Sequence, residues 1–284
     1  NYTLYLLIGL LILYVVMHYS TFYESYRIES FESQYQNSQY YGTKYTNDEI
    51  YDEFYTFFID DLFFHKENME TLAAHILKYQ TNVYNNHLVL GMKHGGHLNI
   101  MVDNILNTQT AIENKHIYKK CKLNYNEQKF NLVENVSNLY TYEPYTFTHI
   151  SIIDDELYIV QDLKGYIYNC SEWLIHKGYL FLECYDYLND FFLGFHKYNL
   201  DSQILKNYVY SKNLIQHSNI NNKFTLVEKL GSKYEKHKKR VNNLEVSFYT
   251  TDYLIDICEG FGLLHLTSHK ICDGKSLLIF QKQM

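Results

Sequence analysis

Between Asn85 and Asp186 the sequence alternates short apolar runs of strand length with longer stretches of helical periodicity, and no other feature narrows the fold so far. NNHLVLGM is a short buried strand, and GGHLNIMVDNILN is glycine followed by an amphipathic helix. NTQTAIE and NKHIYKKCKLNY repeat the pattern of strand and helix. KFNLVEN and FTHISII are two more strands, the second running on into DDELYIVQD. YIYNCSEWLIHKGYLFLECYD reads as a helix, a turn at Gly178 and a buried strand. This alternation predicts an α/β domain with a mainly parallel sheet. Ahead of it, DEIYDEFYTFFIDDLFF and KENMETLAAHILKYQ carry apolar residues at i, i+3 and i+4, so two helices are predicted and the domain is expected to start near Asp48.

After Tyr187 the rhythm changes. FTLVEKL and NNLEVSFYT alternate as strands around the charged GSKYEKHKKR, which predicts a β-hairpin insertion within about 188–250. The charged tip is expected to be solvated, with anionic head groups or phosphate as the other reading. TTDYLIDICEGFG opens with a Thr/Asp cap signal and stops at glycine, as a final helix does. LLHLTSHK and SLLIFQKQ then close the chain as two strands around CDG.

Composition excludes some classes. The 284 residues are 46% hydrophobic, enough for a substantial core. A formal charge of −7 gives no general attraction to nucleic acid, and no specific nucleic-acid binding is expected. Cys121, Cys170, Cys184, Cys258 and Cys272 form no C-x-x-C pair, which suits a reducing compartment.

Residues 1–20 carry no charged side chain, and TLYLLIGLLILYVVM is almost purely apolar. About 25 Å of helix fits that run, with Tyr5, Tyr14 and Tyr19 at the interfaces, so a single N-terminal transmembrane helix is expected, contacting the membrane through residues 3–19. Residues 21–47 form a Tyr/Ser/Gln-rich tract. It reads as a tether, or as a strap whose tyrosines lie on a neighbouring surface, which would make the 19–47 segment a contact for other proteins of an assembly.

Together, YDEFYTFFIDDL, SEWLIHKGYLFLE, FTHISIIDDELYIV and the closing hairpin resemble a class I S-adenosylmethionine-dependent methyltransferase over roughly Asp48 to Lys282, and specifically the methyltransferase-like domains of large DNA viruses. The resemblance implies a Rossmann-like, mainly parallel seven-stranded sheet with an antiparallel last strand, here with the β insertion. It also implies a cofactor loop after the first parallel strand, where Gly91 and Gly95 hold the outer glycine positions, Lys93 replaces the middle glycine and Val89 replaces the preceding acid. The ribose-binding acid falls at Ile112, with Glu113 one residue late, and the adenine-side position is Asn135. A one-residue slip turns a strand-end side chain to the other face. The set Gly91, Lys93, Gly95, Glu113 and Asn135 is therefore expected to be a vestigial cofactor site.

Asp154 and Asp155 fall on the substrate side, where the fourth parallel strand ends, with helix capping as the plainer reading. His87, His94 and His97 lack a further assigned ligand, and no metal site is expected. The expectation is a membrane-anchored pseudoenzyme with a structural role, set by the resemblance in the inner membrane of a virus particle. An active S-adenosylmethionine-dependent methyltransferase on a small molecule or protein is the alternative, and an altered cleft in which Lys93 neutralises a phosphate or carboxylate is a third.

Overall fold

The computed structural model describes residues 43–283, apart from 64, 80, 82–83, 92–96, 98–99, 102–104, 106, 125–129, 196–197, 199, 201, 203, 218–221 and 235–238. The apolar run 1–20, the tract up to residue 42, and Lys93, His94 and Gly95 lie outside the described residues. Among the described residues no helix is long and apolar enough to cross a membrane.

Seven strands form the main sheet: β2 (His87–Leu90), β3 (Thr108–Ile112), β4 (Phe130–Leu132), β5 (Phe147–Ile152), β6 (Leu174–Tyr185), β10 (Leu263–Cys272) and β11 (Lys275–Lys282). Their order is β10-β11-β6-β5-β2-β3-β4. The neighbours from β6 to β4 pair in parallel, and β11 enters antiparallel between β6 and β10. β2 and β5 are buried at every position, as strands covered on both faces must be.

Among the described residues the helices include α1 (Glu53–Phe63), α2 (Lys66–Ile76), α3 (Lys115–Asn124), α4 (Leu163–Trp173), α5 (Leu188–Gly194), α6 (Ile204–Asn207) and α7 (Thr251–Gly260). α7 starts where expected, with the Thr250 hydroxyl accepting from the Tyr253 N–H at 3.3 Å. α4 is built on a buried stripe of Tyr166, Ile167, Cys170 and Trp173, and the Trp173 indole N–H reaches the Leu139 carbonyl at 2.8 Å.

Three expectations need correction. The turn foreseen at Gly178 lies inside β6, which follows α4 directly. There the left-handed residue is Lys177 (φ 63°), while a side chain on Gly178 would press on the Ile175 and Thr148 carbonyls at 2.9 and 3.0 Å. The insertion is also larger than a hairpin. It is a four-stranded sheet ordered β1-β9-β8-β7, from β1 (Thr43–Thr46), β7 (Tyr208–Gln216), β8 (Lys223–Ser232) and β9 (Lys239–Ser247). β7 escaped notice because its inward face mixes Tyr208, Tyr210, Lys212 and Leu214, and β1 because TKYT has no apolar alternation.

The third correction concerns the end of the charged tip. Arg240 is buried, with its guanidinium donating to Asp52 at 2.6 Å, to the Ile50 carbonyl at 2.5 Å and to Asn242 at 2.6 Å. It also lies 4.0 Å over the Tyr45 ring. Beside it Glu228, equally buried, accepts from Tyr55 at 2.6 Å, Tyr210 at 2.5 Å and Asn242 at 3.2 Å. These bonds fasten α1 and β1 to the insertion sheet.

Candidate functional site

In an open parallel sheet, ligands bind outside the carboxyl ends of the strands where the strand order reverses. Here that is the edge between β2 and β5, flanked by β3 and β4 on one side and β6 on the other. The chain turns of Gly91, Glu113, Asn135 and Asp154–Asp155 all lie along this edge.

Gly91 has φ 84°, and a Cβ there would come within 2.3 Å of the Glu156 Cβ and 2.5 Å of the Ile153 carbonyl. Its need for glycine is thus set by the turn after β5, which crosses directly over the end of β2. Val89, where the family has an acid, is fully buried in the core.

Ile112 is buried and Glu113 is exposed beyond the end of β3. The Glu113 carboxylate accepts the Val136 N–H, so it spans the gap to the loop after β4. Asn135 accepts the Ser137 N–H at 2.7 Å through its side chain and the Thr141 hydroxyl at 2.6 Å through its carbonyl. Glu113 and Asn135 thus come to neighbouring loops, each engaged by backbone. Two phenols join them unforeseen. Burial, then Glu156, Cys170, Glu113 and Tyr142, push Tyr166 well above its ordinary pKa. Burial lifts Tyr142 to about 12, and its buried hydroxyl has no hydrogen-bond partner among the described residues. In the sequence both read as ordinary aromatic core residues.

Asp154 and Asp155 do not cap a helix by their side chains. Both are left-handed (φ 55° and 62°), and the short 3-10 turn Glu156–Tyr158 that follows has no side-chain cap bond from Asp155. Asp154 takes a hydrogen bond from the His97 ring Nδ1 at 2.7 Å, while the His97 Nε2 accepts the His65 N–H at 3.0 Å. A nitrogen that accepts a backbone N–H carries no proton, so this geometry assigns a neutral His97 protonated on Nδ1. The Asp154 N–H donates to Glu183 at 2.8 Å. Lys275, from β11, donates to Asp155 at 2.8 Å and Glu183 at 2.9 Å and lies 4.6 Å over the Tyr185 ring. Burial alone would lower the lysine's pKa; Asp155 and Glu183 outweigh it and hold the ammonium well above its ordinary value.

The result is a buried chain of His97, Asp154, Glu183, Lys275 and Asp155 at the ends of β5 and β6. Sequence reading found the two aspartates and missed Lys275 and Glu183, which lie 120 and 29 residues from the aspartates they bond; Glu183 meets Asp154 through the pairing of β5 with β6, and Lys275 meets Asp155 through the pairing of β6 with β11. His87 is no metal ligand here. It sits in the sheet between the Thr108 and Ser151 hydroxyls at 3.1 and 2.8 Å, and burial depresses its pKa to about 3. Among the described residues no group of three metal-ligating side chains forms.

Comparison with solved structures decides the fold. An S-adenosylmethionine-dependent methyltransferase from Clostridium acetobutylicum superposes with a TM-score of 0.60 at 13% identity, covering 77% of this chain and 92% of its own. The CcbJ methyltransferase from Streptomyces caelestis gives 0.59 at 11% identity, covering 77% and 96%. DesVI from Streptomyces venezuelae gives 0.56 at 9%, covering 77% and 93%. The chain has the class I methyltransferase fold. No family model and no curated protein sequence matches it. Glu113, Asn135, Asp154 and Asp155 all stand on the edge where an open parallel sheet takes its ligands.

Proposed function

We propose that this methyltransferase-fold protein does not transfer methyl groups and serves as a membrane-attached scaffold. One observation carries the reading: along the cofactor and substrate edge Glu113, Asn135, Asp154 and Asp155 each already hold another side chain or the backbone. Glu113 is bonded to the Val136 N–H, Asn135 to the Ser137 N–H, Asp154 to His97 and Asp155 to Lys275. A ribose diol would have to displace the backbone bonds of Glu113 and Asn135, and a substrate proton would have to displace the buried pair of Asp155 with Lys275, which costs several kcal/mol. Lys93 within the glycine loop supports the same reading from the sequence. Membrane attachment through residues 3–19 rests on their charge-free apolar run, and the virus-particle setting rests on the family resemblance.

A second reading, an active methyltransferase, has one observation in its favour. Consecutive left-handed aspartates cost about 1–3 kcal/mol each, and such strain concentrates at working sites. Incubating the full chain with methyl-labelled S-adenosylmethionine and an extract of its source cells decides between them. The proposal predicts no label above the heat-denatured control in protein, lipid or small-molecule fractions. Label in any of them overturns it.

A further inference from the structure

α2 packs beside β10 with Met69, Leu72, Ala73 and Ile76 buried, and histidines tie it down along its whole length. At its start the His65 N–H donates to Nε2 of His97, the ring that holds Asp154 at the ligand edge. Just past its end the Tyr79 carbonyl accepts from His149 Nε2 at 2.7 Å. Between these, the His75 ring stacks on His269 of β10, with centroids 4.4 Å apart and planes 14° from parallel. The Tyr79 hydroxyl lies 3.3 Å from His269 Nε2. The Lys78 ammonium lies 3.4 Å from His75 Nδ1. An ammonium only donates, so that nitrogen carries no proton and His75 is neutral. The next proton on His75 therefore enters at Nδ1, facing Lys78. No third metal-ligating side chain joins the two rings among the described residues.

We propose that the His75–His269 stack is an acid-released latch: neutral, it holds α2 against β10 and so keeps His65 on His97 beside Asp154; protonated, it loosens the helix and that bond with it. Neutral rings stack without penalty, whereas a charge on either ring faces the other ring and Lys78 at close range. The remaining charged groups nearby are engaged elsewhere. On β10, His265 reaches Ser268 at 3.1 Å and Lys270 pairs with Asp273 at 2.8 Å. On α2, Lys66 pairs with Glu70 at 3.5 Å, both exposed. From β6, the Tyr179 ring stands 5.3 Å from that of Tyr79. Partial burial, then His269 and Lys78, lower the pKa of His75. A folded value below the ordinary 6.5 makes the contact fully stabilising above pH 6.5, and it weakens as pH falls below that. His149 behaves differently. It donates to the Tyr79 carbonyl through Nε2, a bond that a protonated ring keeps, so α2 loosens without detaching. The latch stands whether or not the edge binds a cofactor.

Hydrogen–deuterium exchange of the full chain at pH 7.5 and pH 5.5, each corrected for the intrinsic chemical rate, reads the latch in peptides from residues 66–79. One charge added at the 4.4 Å ring separation should lower their protection by about fivefold or more relative to peptides of α4, which contains no histidine. His75→Gln and, separately, His269→Gln should each bring that excess to within about twofold, because glutamine does not titrate in this range. The wild-type comparison stands by itself where a variant fails to fold. Equal loss of protection in α2 and α4 of the wild-type chain, or an excess that survives both substitutions, overturns the proposal.

Discussion

Lys275 is bonded to both Asp155 and Glu183, with 16% of its side chain exposed. Replacing it by methionine keeps the bulk and leaves two buried carboxylates without their counter-ion. Lys275→Met should therefore cost about 3–5 kcal/mol of stability, read by chemical denaturation. His87 makes a different prediction. Its pKa of about 3 in the folded chain lies below the 6.5 of an exposed histidine, so the unfolded chain binds the extra proton first. Its contribution to stability is intact above pH 6.5 and is lost as pH falls toward 3. Between pH 7 and pH 5 that loss is about 2 kcal/mol, and His87→Gln should flatten the pH dependence by that amount. Single residues were legible in the sequence where local chemistry sufficed: Asp154 and Asp155 stood out as paired acids at a strand end. Their partners were not legible, because a lysine in SLLIFQKQ's strand announces nothing about an acid 120 residues earlier.

At the scale of elements, two glycines separate packing from backbone freedom. Gly91 and Gly262 are both left-handed, at φ 84° and 75°, but only Gly91 has the turn after β5 against it, while nothing lies within 4 Å of a Cβ at Gly262. Gly262→Ala should cost about 1 kcal/mol for the backbone alone. Gly91→Ala should cost clearly more, because the turn at Ile153–Glu156 must move as well; thermal melting of both variants ranks them. The attachment of α1 and β1 to the insertion makes a third comparison. Arg240→Ala removes the bridge to Asp52 and the bond to the Ile50 carbonyl, and should destabilise by about 3–5 kcal/mol. Most of the main-sheet elements could be read from the sequence, since β2, β3, β5, α3, α4 and α7 each carry a clean period and a Thr, Asn or Gly punctuation. The insertion sheet could not be read fully. Its inward face buries Glu228, Arg240 and Asn242, polar residues that break the apolar alternation by which strands are recognised.

For the whole molecule, the order β10-β11-β6-β5-β2-β3-β4 with an antiparallel β11 places the ends of five parallel strands along one edge, and the fold's chemistry belongs there. The closing hairpin does more than finish the sheet. By setting β11 beside β6 it brings the Lys275 ammonium to Asp155 and Glu183 at that edge. Calorimetric titration of S-adenosylmethionine into the folded full chain tests this account most directly. Self-satisfied polar groups predict no heat of binding up to about millimolar ligand, a level at which even about 4 kcal/mol of affinity would register. Saturable binding in the micromolar range would contradict it, and would mean that Glu113 and Asn135 exchange their backbone partners for the cofactor.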